Sequence, residues 1–400
     1  MAEASGAVAG VRRPYLLLIG ILLIATNLRA PFTGVPPVMS MIQASFALGS
    51  IQAGILTTLP LLAFAVMSPF MASFARGYGL ERCLFAAIAL IALGIAIRPL
   101  GSLWWLYAGT GAIGIGITFG NVLLPSLLKR DFPHRIAAIT SAYFLAMNLT
   151  AACVSAAAVP IAQASGLGWT GALLAVMVLP AMALLAWLPQ LRKHTSPLAN
   201  TAMPPKGGRI WRSALAWQVT LCMGTNSVLF YIMISWLPAV FISSGYNATE
   251  AGSLHGIMQL SGALSGLVMG PIVQRMHDQR AAAVLTGLLT ALGLLGLLFL
   301  PGWGLFWAIC IGSGLGASFL LSLIFIGLRT QSPRQAAALS GMAQCAGYFL
   351  AAFGPPASGA IHDATGTWYL PLAICIVLAL VMSAFGYLAG RKLQIPEAAA

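Results

Sequence analysis

Acid is scarce in this chain: 400 residues hold seven Asp and Glu against twenty Lys and Arg. Charged residues make up 7% of it, where soluble globular proteins carry roughly a quarter. A water-exposed surface built from so few charges would aggregate, so a soluble fold is excluded and the apolar surface must face lipid. Cysteine is sparse too. Cys83, Cys153, Cys222, Cys310, Cys345 and Cys375 each lie inside an apolar run with no close pair. That excludes a disulfide framework or a thiolate metal site and reads as small buried hydrophobes. No phosphate loop, metal-ligand spacing, Ser-His-Asp set or paired intramembrane acids are visible. The expectation is therefore no catalytic residues, no metal and no cofactor, and the chain is read as not an enzyme. Its basic residues come in ones and twos, never in a long block, which argues against nucleic acid as a partner.

Hydrophobic residues, in contrast, make up 60% of the sequence, and the mean hydropathy is +0.92. At one spanning helix per ~20 apolar residues plus loops, about twelve spans fit. Apolar segments fall at 14–41, 48–73, 83–100, 103–128, 136–162 and 169–189, and again at 214–243, 249–274, 281–300, 304–328, 336–361 and 368–390. Between the two sets lies the one long hydrophilic interruption, 190–212, with the sequence QLRKHTSPLANTAMPPKGGRIWR. The predicted organisation is a six-helix bundle over 1–189, a cytoplasmic linker over 190–212 and a second six-helix bundle over 213–400. Arg12 and Arg13 before an apolar core resemble a signal peptide. Asn27, Leu28, Arg29 and Pro31 follow that core instead of a small-residue cleavage site, so it is read as the first span.

Lys and Arg concentrate in cytoplasmic loops. With the N-terminus inside, the cytoplasmic turns receive Arg12, Arg13, Arg76, Arg82, Lys129, Arg130, Arg135, the five basic residues of the linker, Arg275, Arg280, Arg329, Arg334, Arg391 and Lys392. Only Arg29 and Arg98 are left over, and both sit in apolar segments. Both termini are therefore expected in the cytoplasm. The halves also repeat. LLKRDFPHRIAAITS at 127–141 aligns with GLRTQSPRQAAALSG at 327–341, and Gly114 and Gly116 align with Gly314 and Gly316 at the same offset. Thr26-Asn27 recurs at Thr225-Asn226, and QAGIL at 52–56 as EAGSL at 250–254. Matched helices of the same orientation imply parallel halves related by an axis along the membrane normal, the arrangement of major facilitator transporters. The predicted fold class is an all-α polytopic membrane protein of about twelve transmembrane helices in two six-helix halves.

Several stretches carry a family resemblance: NLRAPFTGVPP, GILTTLPLLAFAVMSPF, GNVLLPSLLKRDFPH, SALAWQVTL, AGSLHG, FIGLRT, QAAALSGMAQCAGYFLAAFGPP and IHDATGTW. They run from the first helix to the last. The sequence resembles the cyanate/2-nitroimidazole transporter family of the major facilitator superfamily, and looks closest to its 2-nitroimidazole exporter branch. The resemblance implies secondary active transport of a small, compact solute, nitro-heterocycle or cyanate-like, in a bacterial inner membrane. The expected partners are that solute, a proton or counter-ion whose identity stays open, and the bilayer; the expected state is a monomer. Many major facilitators carry a G-x-x-x-D-R-x-G-R-R-like loop after the second helix. Here it reads ASFARGYGLER, with Arg76 near the place of the missing Asp. Arg76, Glu81 and Arg82 are expected to form a substitute ion cluster that gates the cytoplasmic side.

Arg29 is the most informative residue. It lies roughly 22 Å along the first helix at ~1.5 Å per residue. An arginine there costs roughly 2.5–3.5 kcal/mol on the insertion scale, and no acid in the apolar segments is placed to offset it. A cavity holding Arg29 would suit an anion or a nitro group, which a guanidinium binds with two prongs; the alternative is snorkelling to the outer interface. Arg98, just before Pro99 at the outer end of the third helix, is a gate or a snorkelled arginine. Asn27, Asn121, Asn148 and Asn226 are intramembrane amides, suited to substrate binding or to interhelical hydrogen bonds. Tyr231, Gln259, Gln344 and Tyr348 add polar groups from the second half. His255 is either a carrier of a coupling proton or a neutral cavity-lining group, and His362-Asp363 reads as a loop cap or gate pair. The glycines of GTGAIGIGITFG at 109–120 read as helix packing, not a nucleotide loop. The class competing with a transporter is a membrane receptor or sensor, and a membrane-embedded enzyme is third. Duplicated halves and polar groups in both favour transport.

Overall fold

Long apolar runs separated by short breaks have one stable solution in lipid: helices that satisfy their own backbone. The computed structural model describes residues 14–132, 135–192, 210–331 and 333–396. Its first span is broken into α1 (Pro14–Asn27), α2 (Ala30–Thr33), a 3-10 turn (Pro36–Val38) and α3 (Met39–Phe46). There follow α4 (Ser50–Tyr78), α5 (Leu80–Ile97), α6 (Leu103–Asp131), α7 (Ile136–Ala164), and a sixth span split into α8 (Trp169–Ala175) and α9 (Val178–Trp187). The second set is α10 (Ala214–Ser243), α11 (Ala248–Gln274), α12 (Arg280–Phe299), α13 (Gly304–Leu328), α14 (Pro333–Thr365) and α15 (Tyr369–Ala389). Among the described residues, eleven segments are long and apolar enough to cross a membrane. The twelfth long helix, α14, is less apolar because it carries Gln335, Ser340, Gln344, His362 and Asp363.

The first span is broken at APFTGVPP. Pro31, Pro36 and Pro37 cannot donate to the helical ladder, so the helix breaks on both sides of α2. Arg29 falls on the first break, preceding α2 with φ −136° and ψ −41°. At α11, by contrast, the start is closed by a capping box. Asn247 Oδ1 accepts from the Glu250 amide at 2.9 Å, and the Glu250 carboxylate accepts from the Asn247 amide at 3.0 Å. Of the cysteines, Cys83, Cys222, Cys310 and Cys375 are buried as expected, while Cys153 and Cys345 are exposed; all six are free.

Glycine sets how closely the helices approach. A Cβ on Gly114 would lie 2.7 Å from Pro60 Cα on α4, and one on Gly312 would lie 2.0 Å from the Met258 carbonyl on α11. Gly116 and Gly314 occupy the corresponding seams with α5 and α12. The structural repeat thus pairs Gly114 with Gly312 and Gly116 with Gly314. This corrects the alignment with Gly314 and Gly316, which the equal spacing of glycines along α13 made equally plausible in sequence.

Three of the four buried cores among the described residues fix the arrangement; the fourth, around Ala30, Ile91, Ile113 and Val176, lies within the first six spans. One is built wholly from the first six spans, around Leu17, Ile21, Leu84, Leu124 and Trp187. Another is built from the last six, around Val219, Ala283, Phe325 and Met342, with Ile210 and Ile395 from the segments flanking them. Both lie toward the face where α1 begins and α15 ends, here the near face. The third joins the two sets at the opposite, far face, where Val38, Ile42, Leu56 and Val159 pack in one cluster with Leu229, Trp236, Leu237 and Met258. The two bundles share a core at the far face and keep separate cores at the near one.

Candidate functional site

The break in the first span turns Arg29 into the space between the bundles. A cavity of ≈ 100 Å³ there is lined by Arg29, by Phe144 and Asn148 of α7, by Asn226, Ser227, Phe230 and Tyr231 of α10, by Met258, Gln259, Gly262 and Ala263 of α11, by Gly312, Leu315, Gly316 and Phe319 of α13, and by Tyr348 of α14. The Arg29 guanidinium donates to Asn148 Oδ1 and lies over the Phe230 ring, 4.7 Å from its centroid. Asn148 is in turn held by its Nδ2, which donates to the Phe144 carbonyl at 2.8 Å. Arg29 therefore touches both bundles, by a hydrogen bond on one side and a cation–π contact on the other. No carboxylate is among the lining residues. Gln259 and Asn226 are buried, and Gln259 Oε1 and Nε2 and Asn226 Oδ1 have no hydrogen-bond partner among the described residues.

Six of the ten expected binding residues line this cavity: Arg29, Asn148, Asn226, Tyr231, Gln259 and Tyr348. The others do not. Asn27 is buried and donates to the Leu23 carbonyl one turn back at 2.8 Å. Asn121 is exposed. Gln344 donates to Ser340 Oγ at 2.9 Å, along its own helix. His255 is fully buried, its Nδ1 2.7 Å from Ser155 Oγ, so it ties α11 to α7 instead of lining the site. The aromatic walls, Phe144, Phe230 and Phe319, went unnoticed in the sequence, since phenylalanine carries no signal in so apolar a chain.

The expected gates also resolve differently. Arg98 is 1% exposed and donates to the Pro31 carbonyl at 2.9 Å and to Thr110 Oγ1 at 3.2 Å. It is neither snorkelled nor at a gate; it satisfies a carbonyl freed by the proline break. Glu81 is buried and pairs with Arg130 at 2.9 Å, and its carbonyl accepts from Trp187 Nε1 at 3.0 Å, all inside the first bundle. Arg82 is exposed, and the Arg76 side chain lies outside the described ones. The Glu81–Arg130 pair stands where the cluster with Arg82 was expected.

At the far face the bonds between bundles are explicit. Asp363, at the far end of α14, accepts from the Ser50 amide at 2.9 Å and from Ser50 Oγ at 2.6 Å. It thereby caps the first turn of α4, where an anion is favoured. Ser235 Oγ donates to Thr57 Oγ1 at 2.9 Å. His362 stacks on Trp368 with centroids 4.2 Å apart. Burial raises the Asp363 carboxyl, but the Ser50 hydrogen bonds and neighbouring His362 outweigh it, and the group sits below the ordinary carboxylate value. A carboxylate with a depressed value stabilises the bonded state above the ordinary range, and that contribution is lost as pH falls through the depressed value. Asp363→Asn is expected to open the far face more often at neutral pH and to remove the acid dependence of that opening. Spin-label distances across Ser50 and Asp363's neighbours, measured over a pH series, check it; an unchanged distance distribution would count against the clamp.

Two six-span bundles joined at one face, with a buried polar cavity between them, define a solute transporter. The family model described as Major Facilitator Superfamily matches residues 17–352 and 245–398. The chain is 51% identical to the 2-nitroimidazole transporter of Escherichia coli (strain K12) over 382 residues, 95% of this chain and 96% of that one. It is 27% identical to the cyanate transport protein CynX of the same organism, over 96% of this chain and all of that one. In fold it matches a bacterial homologue of the human lysosomal transporter Spinster, inward-facing and unoccupied, with TM-score 0.76 at 16% identity over 95% of this chain and 97% of that one. The chain belongs to the major facilitator superfamily, in its cyanate/2-nitroimidazole transporter branch. It is a multi-pass membrane protein and a secondary transporter of small solutes, not an enzyme.

Proposed function

We propose that the Arg29 cavity takes one small planar solute with an electron-rich acceptor group, a nitro-heterocycle of the 2-nitroimidazole kind, and passes it across a bacterial inner membrane by alternating access. One observation carries the reading. A guanidinium stacked on Phe230 lines a cavity that holds no carboxylate, so no fixed acid competes with the acceptor group of a ligand for it. The 51% identity to a 2-nitroimidazole transporter supports the substrate class. Counterflow of labelled 2-nitroimidazole in liposomes holding the purified protein tests it. Accumulation above the protein-free control is expected; its absence, with binding intact, would instead favour a receptor.

In this reading the bundles 1–189 and 213–400 rock about the cavity while 190–212 spans between them, and the protein works as a monomer. Both termini face the cytoplasm, supported by Arg130, Arg135, Arg275, Arg280, Arg329, Arg391 and Lys392, which all fall on the near face. Residues 193–209, including Ser196, lie outside the described residues. A cysteine at Ser196 is expected to resist an impermeant thiol reagent applied to intact cells; labelling from outside would reverse the topology.

A further inference from the structure

Gln259 is unusual among the polar residues of the cavity. Two of its buried amides, Asn27 and Asn148, bond back to their own helix. Gln259 is 2% exposed, yet neither its Oε1 nor its Nε2 has a partner among the described residues. Buried polar groups are rarely left unsatisfied, and a carboxamide with both ends unpartnered calls for a ligand that brings a donor and an acceptor side by side.

We propose that Gln259 is a specificity-determining residue that reads the ring N–H of a neutral nitroazole. The inference rests on the reading of the central cavity given above and narrows it. In 2-nitroimidazole the ring N–H and the nearer nitro oxygen lie next to one another on one edge. That edge matches a carboxamide: Gln259 Oε1 accepts from the ring N–H while Nε2 donates to the nitro oxygen. The opposite edge offers the second nitro oxygen and the unprotonated ring nitrogen, two acceptors that suit the two-pronged donor face of Arg29. Phe230, which already stacks on the guanidinium, supplies an aromatic wall for a flat ring. Cyanate fits less well. It has acceptors only, so it would serve Arg29 and Gln259 Nε2 but leave Gln259 Oε1 facing an anion. The site thus selects a neutral azole with an N–H beside its nitro group over a small linear anion.

The test compares 2-nitroimidazole with 2-nitrothiazole, in which a somewhat larger sulfur replaces the N–H, and with cyanate. Binding to the purified full chain is followed by isothermal titration at mildly acid pH, where the azole keeps its proton. The unaltered protein is expected to prefer 2-nitroimidazole to both by about tenfold or more, because a site built to bond an N–H rejects the analogue lacking it. Gln259→Met keeps length and removes both bonding atoms, and should reduce the preference over 2-nitrothiazole to within about twofold. Equal binding of the two ring compounds by the unaltered protein overturns the role of Gln259 alone, and needs no variant to fold. A full preference retained in Gln259→Met overturns it as well. Failure of 2-nitroimidazole to bind at all overturns the reading of the cavity and this inference with it.

Discussion

Arg29→Lys is expected to weaken binding of 2-nitroimidazole by about 30-fold or more in a protein that still inserts and folds. Lysine keeps the charge. It loses the planar face that lies 4.7 Å from the Phe230 centroid and the paired N–H groups that suit a nitro group. Hydrogen bonds from a charged donor contribute roughly 1.5–3 kcal/mol each, so losing one of two parallel bonds and the stacking reaches that factor. Arg29→Ala is expected to show no measurable binding. Folding should survive in Arg29→Ala, because removing an intramembrane charge relieves an insertion cost of roughly 2.5–3.5 kcal/mol, and in Arg29→Lys, because the charge and its cost stay the same. Snorkelling, the competing account in the sequence, fails on geometry: the guanidinium is held by Asn148 and Phe230 inside the protein. What remains is a purely structural Arg29 that bridges the bundles. Isothermal titration with thermal unfolding separates the two. Normal affinity in a well-folded Arg29→Lys protein would assign the residue to structure.

The spans were legible because their signal is hydropathy, which lipid enforces residue by residue. Arg29 was legible for the same reason in reverse, as a charge where none is cheap. Asn148, Asn226 and Gln259 were found as amides in apolar runs, but the same rule also picked out Asn121 and Gln344, since residue type does not report which side of a helix faces the cavity. Thr33, one turn beyond Arg29, is fully buried and bonds backbone carbonyls. The bond from Ser50 to Asp363 spans 313 positions, and nothing local in either segment announces it. The phenylalanine walls were invisible because aromatic residues in an apolar chain read as lipid-facing or core alike. The break at Arg29 was signalled by Pro31, Gly34, Pro36 and Pro37, yet its consequence, turning a side chain inward, needs the packing of α7 and α10 to appear.

Gly256→Val is expected to open the far face and stop transport without unfolding the protein. At two glycines the bundles meet there on backbone atoms. A Cβ at Gly256 would stand 2.6 Å from the Ala152 carbonyl on α7, and one at Gly54 2.7 Å from Pro356 Cα on α14. Neither neighbour is a flexible side chain that could step aside, so the two helices must part. Overpacking of this kind costs about 1–3 kcal/mol, which shifts a two-state ratio by about 5- to 150-fold. The helix itself is not harmed, since valine is a better helix former than glycine. The strain exists only in the far-closed state, so the alternative state, parted at the far face, becomes the favoured one, and a cycle that needs both slows accordingly. Gly270 lies near the other end of the same helix, with no atom within 4 Å of where its Cβ would be. Gly270→Val therefore costs nothing in the far-closed state and should leave that state populated. Spin-label distances across α7 and α11 at the far face should lengthen in Gly256→Val and stay unchanged in Gly270→Val. Unchanged distances in both variants, or loss of folding in Gly256→Val alone, would mean that α7 and α11 do not separate during transport.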